Sequence, residues 1–325
     1  MCTSIAMKTT DFYFGRTMDL THELFDYVVL TPRNYPFVFR QAGVMPKHYA
    51  LLGTAMIADG FPLYAEAVNE KGLCMAGLNF PDNAYYTPEP SSDCSNVSPF
   101  ELIYWVLGKC ATIAEAKTLL AATNLVNIPF NENTPLAPLH WHIADCSSSI
   151  TLESTKEGMR VFDNHVGVLT NNPTFQFQMT NMCQYLNLTT GAPQNCFSEK
   201  YHLLPFGQGL GSFGLPGDYS PASRFIKAAY LNINSVNSSN EQGSIAQLFH
   251  ILDAVSVIRG SIVSPENQYD ITTYSCCINA TKGIYYYKTY SNNQLNAIDM
   301  NHEDLDGTFL KRFPLVKTQQ IAWAN

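Results

Sequence analysis

An α+β fold, two sheets packed together with helices outside them, follows from three observations. Strand-like runs arrive in blocks rather than alternating one for one with helices. The blocks are separated by pairs of segments with clear helix-start signals. No repeat, linker or low-complexity stretch divides the chain. The 325 residues are enough for a large core, and 46% hydrophobic against 14% charged residues is the balance of a compact chain. A single domain over residues 1–325 is therefore expected.

The elements justify this reading in order. "CTSIAM" and "FYFGR" read as two short strands around a polar turn at Lys8 to Asp11. "FDYVVLTP", "YALLGTAMI", "PLYAEAVN" and "GLCMAGLN" continue the strand block, each bounded by Pro, Gly, Asn or Asp. Ser98 followed by Pro99 is an N-cap and first-turn proline ahead of "FELIYWVLGKC", and Thr112 with Glu115 forms a capping box before "AKTLLAA". Strands resume with "LHWHIAD", "SITLES", "MRVFDN" and "VGVLTN". A second helical block covers "SPASRFIKAAYL", capped by Ser220, and "SIAQLFHILDAVSVI". The chain then finishes in the strands "YDITTYSCCIN", "GIYYYKTY" and "QLNAIDM".

Charge and termini exclude several function classes. The net charge is −8 and no Lys/Arg run supplies a phosphate-tracking patch, which argues against nucleic-acid binding. Lys8 and Asp11 interrupt the N-terminus before the apolar run of roughly 7–15 residues that a signal peptide needs, and no stretch approaches the ~18 apolar residues of a membrane span. The expected location is cytoplasmic. Nine cysteines, an odd number with no C-x-x-C pair, do not form a disulfide framework, and most are expected to be small buried apolar residues.

Cys2 is the exception that needs a reason. A hairpin turning at Lys8–Asp11 sets residue 2 roughly opposite residues 16–17, so Arg16 and Asp19 lie at the same end of the sheet. Removal of Met1 leaves Cys2 with a free α-amine, whose ordinary pKa of about 7.7–8.0 lies near the ~8.5 of a free thiol. One residue then carries nucleophile and base together, with Arg16 favouring the thiolate and Asp19 holding the amine. On these residues alone, an ordinary strand cysteine beside a surface ion pair remains an open alternative.

The strings "MCTSIA", "FGRTMDL", "NEKGLCMAGLNFP", "VFDNHVGVLTNNPTF", "GLPGDYSPASRF" and "GIYYYKTYSNNQLNAIDMN" together resemble the choloylglycine hydrolase family, in order and with matching spacing from Cys2 to about residue 317. The resemblance is strongest to the bile salt hydrolases of gut bacteria. It implies a four-layer αββα sandwich of the N-terminal-nucleophile hydrolase type and hydrolysis of the amide joining a bile acid to glycine or taurine. It also implies a small-molecule substrate, no metal or organic cofactor, and a homotetramer. Carried over residue by residue, it gives Cys2 as the nucleophile with its own amine as base, and Arg16 and Asp19 beside it. Asn79 in "AGLNFP" and Asn171 in "LTNNP" are the amides at the oxyanion, and Arg224 in "SPASRF" is the remaining charge near the site. Preorganised donors of this kind are each worth about 10²–10³ in rate.

For the sterol end, Met18, Ala58, Phe61, Phe130, Thr134 and Leu136 are the candidate contacts, and the loop at 207–218 is the expected neighbour of the amino-acid end. "GLGSFG" at 209–214 matches a dinucleotide fingerprint but has no strand before it and no helix until Ser220. His140 and His142 alternate on one face of a strand with no third ligand in sight, and read as a partly exposed strand face rather than a metal site. Tyr285–Tyr287 reads as strand core. A penicillin V acylase shares nucleophile and fold, although asparagine rather than tyrosine at position 79 favours the bile-salt branch. A non-catalytic sterol or acyl-amide binder and a thiol redox sensor are the alternatives from other classes.

Overall fold

The N-terminal hairpin sets the frame. A computed structural model describes residues 1–236 and 238–325. Strands β1 (Cys2–Lys8) and β2 (Phe12–Leu20) pair antiparallel around a turn at residues 9–11. The register is Cys2 opposite Met18 and Ser4 opposite Arg16, one step further along than a turn at Lys8–Asp11 implies, because Lys8 itself pairs with Phe12. Side chains of directly opposed residues share a face. Cys2, Ser4, Arg16 and Met18 therefore face one way, and Thr3, Thr17 and Asp19 the other.

The chain continues through β3 (Tyr27–Thr31), β4 (Phe37–Val38), β5 (Val44–Met45), β6 (Leu51–Ala58), β7 (Phe61–Asn69), β8 (Cys74–Asn79) and β9 (Ser95–Val97) to helices α1 (Leu102–Leu107) and α2 (Ile113–Ala121). Then come β10 (Thr123–Leu125), β11 (Leu139–Ala144), β12 (Ser149–Thr155), β13 (Gly158–Asp163) and β14 (Val168–Leu169). Helices α3 (Phe175–Met182), α4 (Pro221–Asn234) and α5 (Glu241–Asp253) precede β15 (Ile271–Asn279), β16 (Ile284–Thr289), β17 (Asn292–Asp299) and β18 (Lys311–Pro314).

Most of these strands form a 6-stranded sheet in the order β14-β1-β2-β15-β16-β17 and an 8-stranded sheet in the order β13-β12-β11-β8-β7-β6-β3-β18, while β4 pairs with β5 and β9 with β10. One core cluster joins the two sheets and continues through the 6-stranded sheet to Phe225, Ala228 and Ala229 of α4 and Leu248 and Leu252 of α5. A second cluster fills the outer face of the 8-stranded sheet under Leu102, Tyr104, Val106, Ile113, Ala116 and Leu120 of α1 and α2. The order of layers is thus helix, sheet, sheet, helix, the αββα sandwich that the sequence implies. Gly15 shows why the outer layer can sit so close. A Cβ there would stand 2.5 Å from the carbonyl oxygen of Cys276 and 2.9 Å from Leu248 Cδ2 of α5.

Several elements differ from the sequence reading. The helix capped by Ser98 starts at Pro99 as expected, but its first turn, Pro99–Glu101, is 3-10, and Glu101 Oε2 accepts from the Ser98 N–H at 2.9 Å. At α2 the Thr112 hydroxyl accepts from the Glu115 N–H at 3.2 Å, but the Glu115 carboxylate turns back to the Ala111 N–H at 2.7 Å, so the box closes one residue earlier than expected. Helix α5 starts before Ser244 because Asn240 Oδ1 caps the Gly243 N–H at 2.7 Å. Helix α3 and edge strand β18 were not expected; "FQFQMTNM" has no continuous apolar stripe, and four residues at a sheet edge give no alternation to read. All nine cysteines are free, but Cys146, Cys183 and Cys196 are exposed, outside both core clusters.

Candidate active site

The site forms where the buried end of β1 meets both sheets and α4. Cys2 is 4% exposed, and its Sγ lies 3.9 Å from Met18 Sδ on the face of the hairpin that looks toward the 8-stranded sheet. Arg16 on the same face is fully buried. Its guanidinium donates to the carbonyls of Ala65 at 3.0 Å and Gly77 at 2.8 Å on β7 and β8, and to Thr17 O at 3.2 Å. Glu66 Oε2 sits 3.6 Å from Arg16 Nη1 and is also fully buried. Tyr274 donates to Glu66 Oε2 at 2.7 Å and Tyr285 to Oε1 at 2.6 Å. Burial opposes the charge on both partners. It pushes the Glu66 carboxyl up against the pull of Arg16, while the nearby Cys2 sulfur, Tyr274 and Glu66 more than offset burial at Arg16 and hold it charged.

Asp19 lies on the opposite face of β2, as a separation of three from Arg16 requires. Its Oδ1 accepts from the Thr272 hydroxyl at 2.6 Å and its Oδ2 from the Thr17 hydroxyl at 3.2 Å. A register shift between Thr272 and Tyr274 in the β2–β15 ladder re-aims these threonines, so that Thr273 donates to the Met18 carbonyl at 2.9 Å while Thr272 reaches the carboxylate. Burial raises the Asp19 pKa, opposed first by Arg224.

Arg224, 1% exposed on α4, closes the constellation. Its Nη1 donates to Cys2 O at 2.5 Å and to Thr3 Oγ1 at 2.7 Å, its Nη2 to Asn171 Oδ1 at 2.8 Å, and its Nε to Tyr219 O at 3.0 Å. Asn171 Oδ1 also accepts from the Cys2 nitrogen at 2.7 Å, and Asn171 Nδ2 donates to the Asn79 carbonyl at 2.7 Å. Two donors at one end and a carbonyl at the other fix the orientation of this amide. The Cys2 peptide N–H is thus held by Asn171, while the Asp19 carboxylate expected to hold the free amine is engaged by Thr17 and Thr272. Met1 continues the strand instead: its ammonium donates to Asp19 O at 2.6 Å, and the Asp19 N–H donates to Met1 O at 2.9 Å.

From the Cys2 sulfur a cavity of about 400 Å³ opens, lined at its polar end by Met1, Cys2, Arg16 and Asn79. Its walls are apolar and include Met18, Leu20, Phe25, Met56, Leu63, Phe100, Phe130 and Leu136. Of the candidate contacts, Met18, Phe130, Thr134 and Leu136 line it. Ala58 and Phe61 do not. They pair at the tip of the β6–β7 hairpin, past the Met56–Leu63 pair that does reach the cavity. Phe61 instead packs behind the wall, 5.9 Å from the ring of Phe130 and 5.7 Å from that of Phe100. Residues 207–218 contribute nothing to the lining. Asn79 is exposed to the cavity, and its side-chain amide has no partner among the described residues, whereas the amide of Asn171 is fully engaged.

His140 and His142 correct another expectation. Both are fully buried, because β11 lies between β8 and β12 inside the 8-stranded sheet. His142 is held between the hydroxyls of Ser4 at 2.8 Å and Ser149 at 2.6 Å, and burial, then the neighbouring His140, pulls its pKa down to about 3. Glu66, Tyr274, Thr272 and Thr273 were missed by sequence reasoning. A glutamate inside the apolar run "PLYAEAVN" was the one visible signal, since an unpaired buried carboxylate is too costly to keep.

Residues 2–313 match the family described as "Linear amide C-N hydrolases, choloylglycine hydrolase family". The chain belongs to the choloylglycine hydrolase family. It is an enzyme of the linear amide C–N hydrolase class. Among curated relatives it is 46% identical to a "Bile salt hydrolase/transferase" of Lactiplantibacillus plantarum, covering 100% of both chains. It is 41% identical to another protein of that description from Clostridium perfringens, again over 100% of both. A crystal structure of the C2A mutant of conjugated bile acid hydrolase from Clostridium perfringens superposes with a TM-score of 0.93 at 41% identity, covering 100% of each chain. A penicillin V acylase from Agrobacterium tumefaciens, at 20% identity, shares the fold with a TM-score of 0.76 over 96% of this chain and 90% of its own.

Proposed function

We propose that this choloylglycine hydrolase cleaves the amide bond of glycine- or taurine-conjugated bile acids, with Cys2 as an N-terminal nucleophile once Met1 is removed. The observation that carries the reading is the Cys2 sulfur at the polar end of an apolar cavity of about 400 Å³. Such a cavity suits a rigid sterol body with its amide presented at the mouth of the polar end. The names of the relatives from Lactiplantibacillus plantarum and Clostridium perfringens point to the same substrate class.

The chemistry then runs as follows. The Cys2 nitrogen, which as a peptide N–H donates to Asn171 Oδ1, becomes the free α-amine once Met1 is gone; it takes the thiol proton, and the thiolate attacks the amide carbonyl. The oxyanion is met by the free amide of Asn79. Collapse of the tetrahedral species breaks the C–N bond, and the ammonium returns its proton to the departing glycine or taurine nitrogen. Water, deprotonated by the amine, attacks the thioester, and the bile acid leaves as the thiol is regenerated. Arg224, gripping Cys2 O and Asn171 together, holds the nucleophile in register throughout.

The chain works on this reading as one domain over residues 1–325, located in the cytoplasm of a gut bacterium and assembled as a homotetramer. Among the described residues no helix is long and apolar enough to cross a membrane. Support for assembly comes from Leu186, Phe197, Phe206 and Phe213, which are 88%, 85%, 92% and 78% exposed. The function is tested by turnover of glycocholate, taurocholate and penicillin V side by side, by wild type and Cys2→Ala. Release of glycine or taurine by wild type alone supports the reading. Faster turnover of penicillin V than of either bile salt moves the enzyme to the acylase branch, and equal rates for the two proteins remove Cys2 from the mechanism.

A further inference from the structure

The sequence singled out His140, and the proposed chemistry leaves it unused. Its ring is fully buried and stacked on Phe80, centroids 4.3 Å apart and 7° from parallel. Nε2 lies 2.9 Å from the carbonyl oxygen of Thr170, and Nδ1 lies 3.3 Å from Glu153 Oε1. A carbonyl oxygen only accepts, so Nε2 carries a hydrogen. On the other side of the ring Nδ1 faces Glu153 Oε1, so ring and carboxyl form one buried hydrogen-bonded unit.

The position of that unit gives it a task. Strand β14 is only two residues long and ends at Leu169, paired with Ser4 of β1. Beyond it the chain leaves the sheet, so no ladder holds the segment that carries Asn171. His140, reaching from the other sheet, takes the carbonyl of the preceding residue. On the far side of the segment, the same Glu153 Oε1 accepts from the Phe175 N–H at 2.8 Å, at the first residue of α3. Residues 170–175 are thus stapled at both ends by one carboxylate, directly and through the histidine. Between the staples Asn171 holds the Cys2 nitrogen and the Arg224 guanidinium.

We propose that the Glu153–His140 pair is a positioning unit for the reaction, setting Asn171 so that its amide oxygen meets the α-amine of Cys2. This rests on the reading of Cys2 as nucleophile and base. A misplacement of about 1 Å from a remote substitution is enough to cost roughly 10²-fold.

The test is a double-mutant cycle on glycocholate hydrolysis, with folding followed by circular dichroism. His140→Leu lowers kcat about 10–100-fold with KM nearly unchanged. His140→Gln, whose amide keeps an N–H at the ε position, restores most of the rate. In an Asn171→Ala background, His140→Leu adds no further loss, because the residue it positions is already gone. Equal rates for the Gln and Leu variants, or losses that multiply in the double mutant, overturn the inference. If the Leu variant does not fold, His140→Asn replaces it. That side chain keeps an N–H toward Glu153 and loses the one toward Thr170, so a rate equal to that of His140→Gln overturns the inference as well. Cys2→Ala runs alongside. Full activity in that protein contradicts the nucleophile reading, whereas the cycle reports on His140 and Asn171 separately.

Discussion

The two ends of the active-site cavity are built on opposite principles. Behind the polar end Arg16, Asp19, Glu66 and Arg224, two basic and two acidic side chains of which only Arg16 lines the cavity, are each 1% exposed or less, and every one has hydrogen-bond partners within the fold. At the apolar end strand residues such as Met18, Leu20, Met56 and Leu63 share the walls with loop residues such as Phe25, Phe130 and Leu136. Charged groups fixed by hydrogen bonds on β2, β7 and α4 give a rigid reaction centre, and loop side chains closing over strand residues give a more adaptable pocket. The contrast separates chemistry from recognition, and each half has its own variant to probe it.

The largest effect is expected at Glu66. Glu66→Gln keeps the shape but leaves Arg16 buried without its counter-charge, and removing one partner of such a pair costs about 3–5 kcal/mol of stability. Denaturant unfolding measures it, and a loss below about 1 kcal/mol would show that the three carbonyls around Arg16 suffice for its charge. Next comes Asn79→Ala, which removes the free donor at the cavity without touching the charges. It lowers kcat by about 10²–10³ and leaves folding intact, as steady-state kinetics with a conjugated bile salt will show; an unchanged kcat places the oxyanion elsewhere. The smallest effect belongs to the apolar end. Leu136→Ala removes one wall contact and raises KM about tenfold, equivalent to about 1.4 kcal/mol, with kcat preserved. A fall in kcat with constant KM at Leu136 would erase the proposed division of labour.

The same contrast decides what was legible in the sequence. Cys2 and Arg16 sit on one hairpin, where alternation and pairing relate sequence to space, so their nearness could be read from the chain with the register off by a step, whereas Asp19, three residues from Arg16, falls on the other face and bonds Thr17 and Thr272. The layers were legible for the same reason, since strand blocks and helix pairs carry their own periodicity. Glu66 and its tyrosines were not, because their meeting depends on how two sheets face each other, which no local pattern encodes. The Thr272–Thr273 bulge was hidden because one extra residue in a strand leaves the alternation nearly intact. Ala58 and Phe61 failed at the cavity because a hairpin tip moves with its turn, and the turn here carries the contact pair back to Met56 and Leu63.

The central claim is that sulfur and amine belong to the same terminal residue. Intact-mass spectrometry on purified enzyme, fraction by fraction against glycocholate hydrolysis, tests it most directly. The account predicts that activity tracks only the species lacking Met1, with Cys2 at its terminus. Full activity in a fraction that retains Met1 would contradict it.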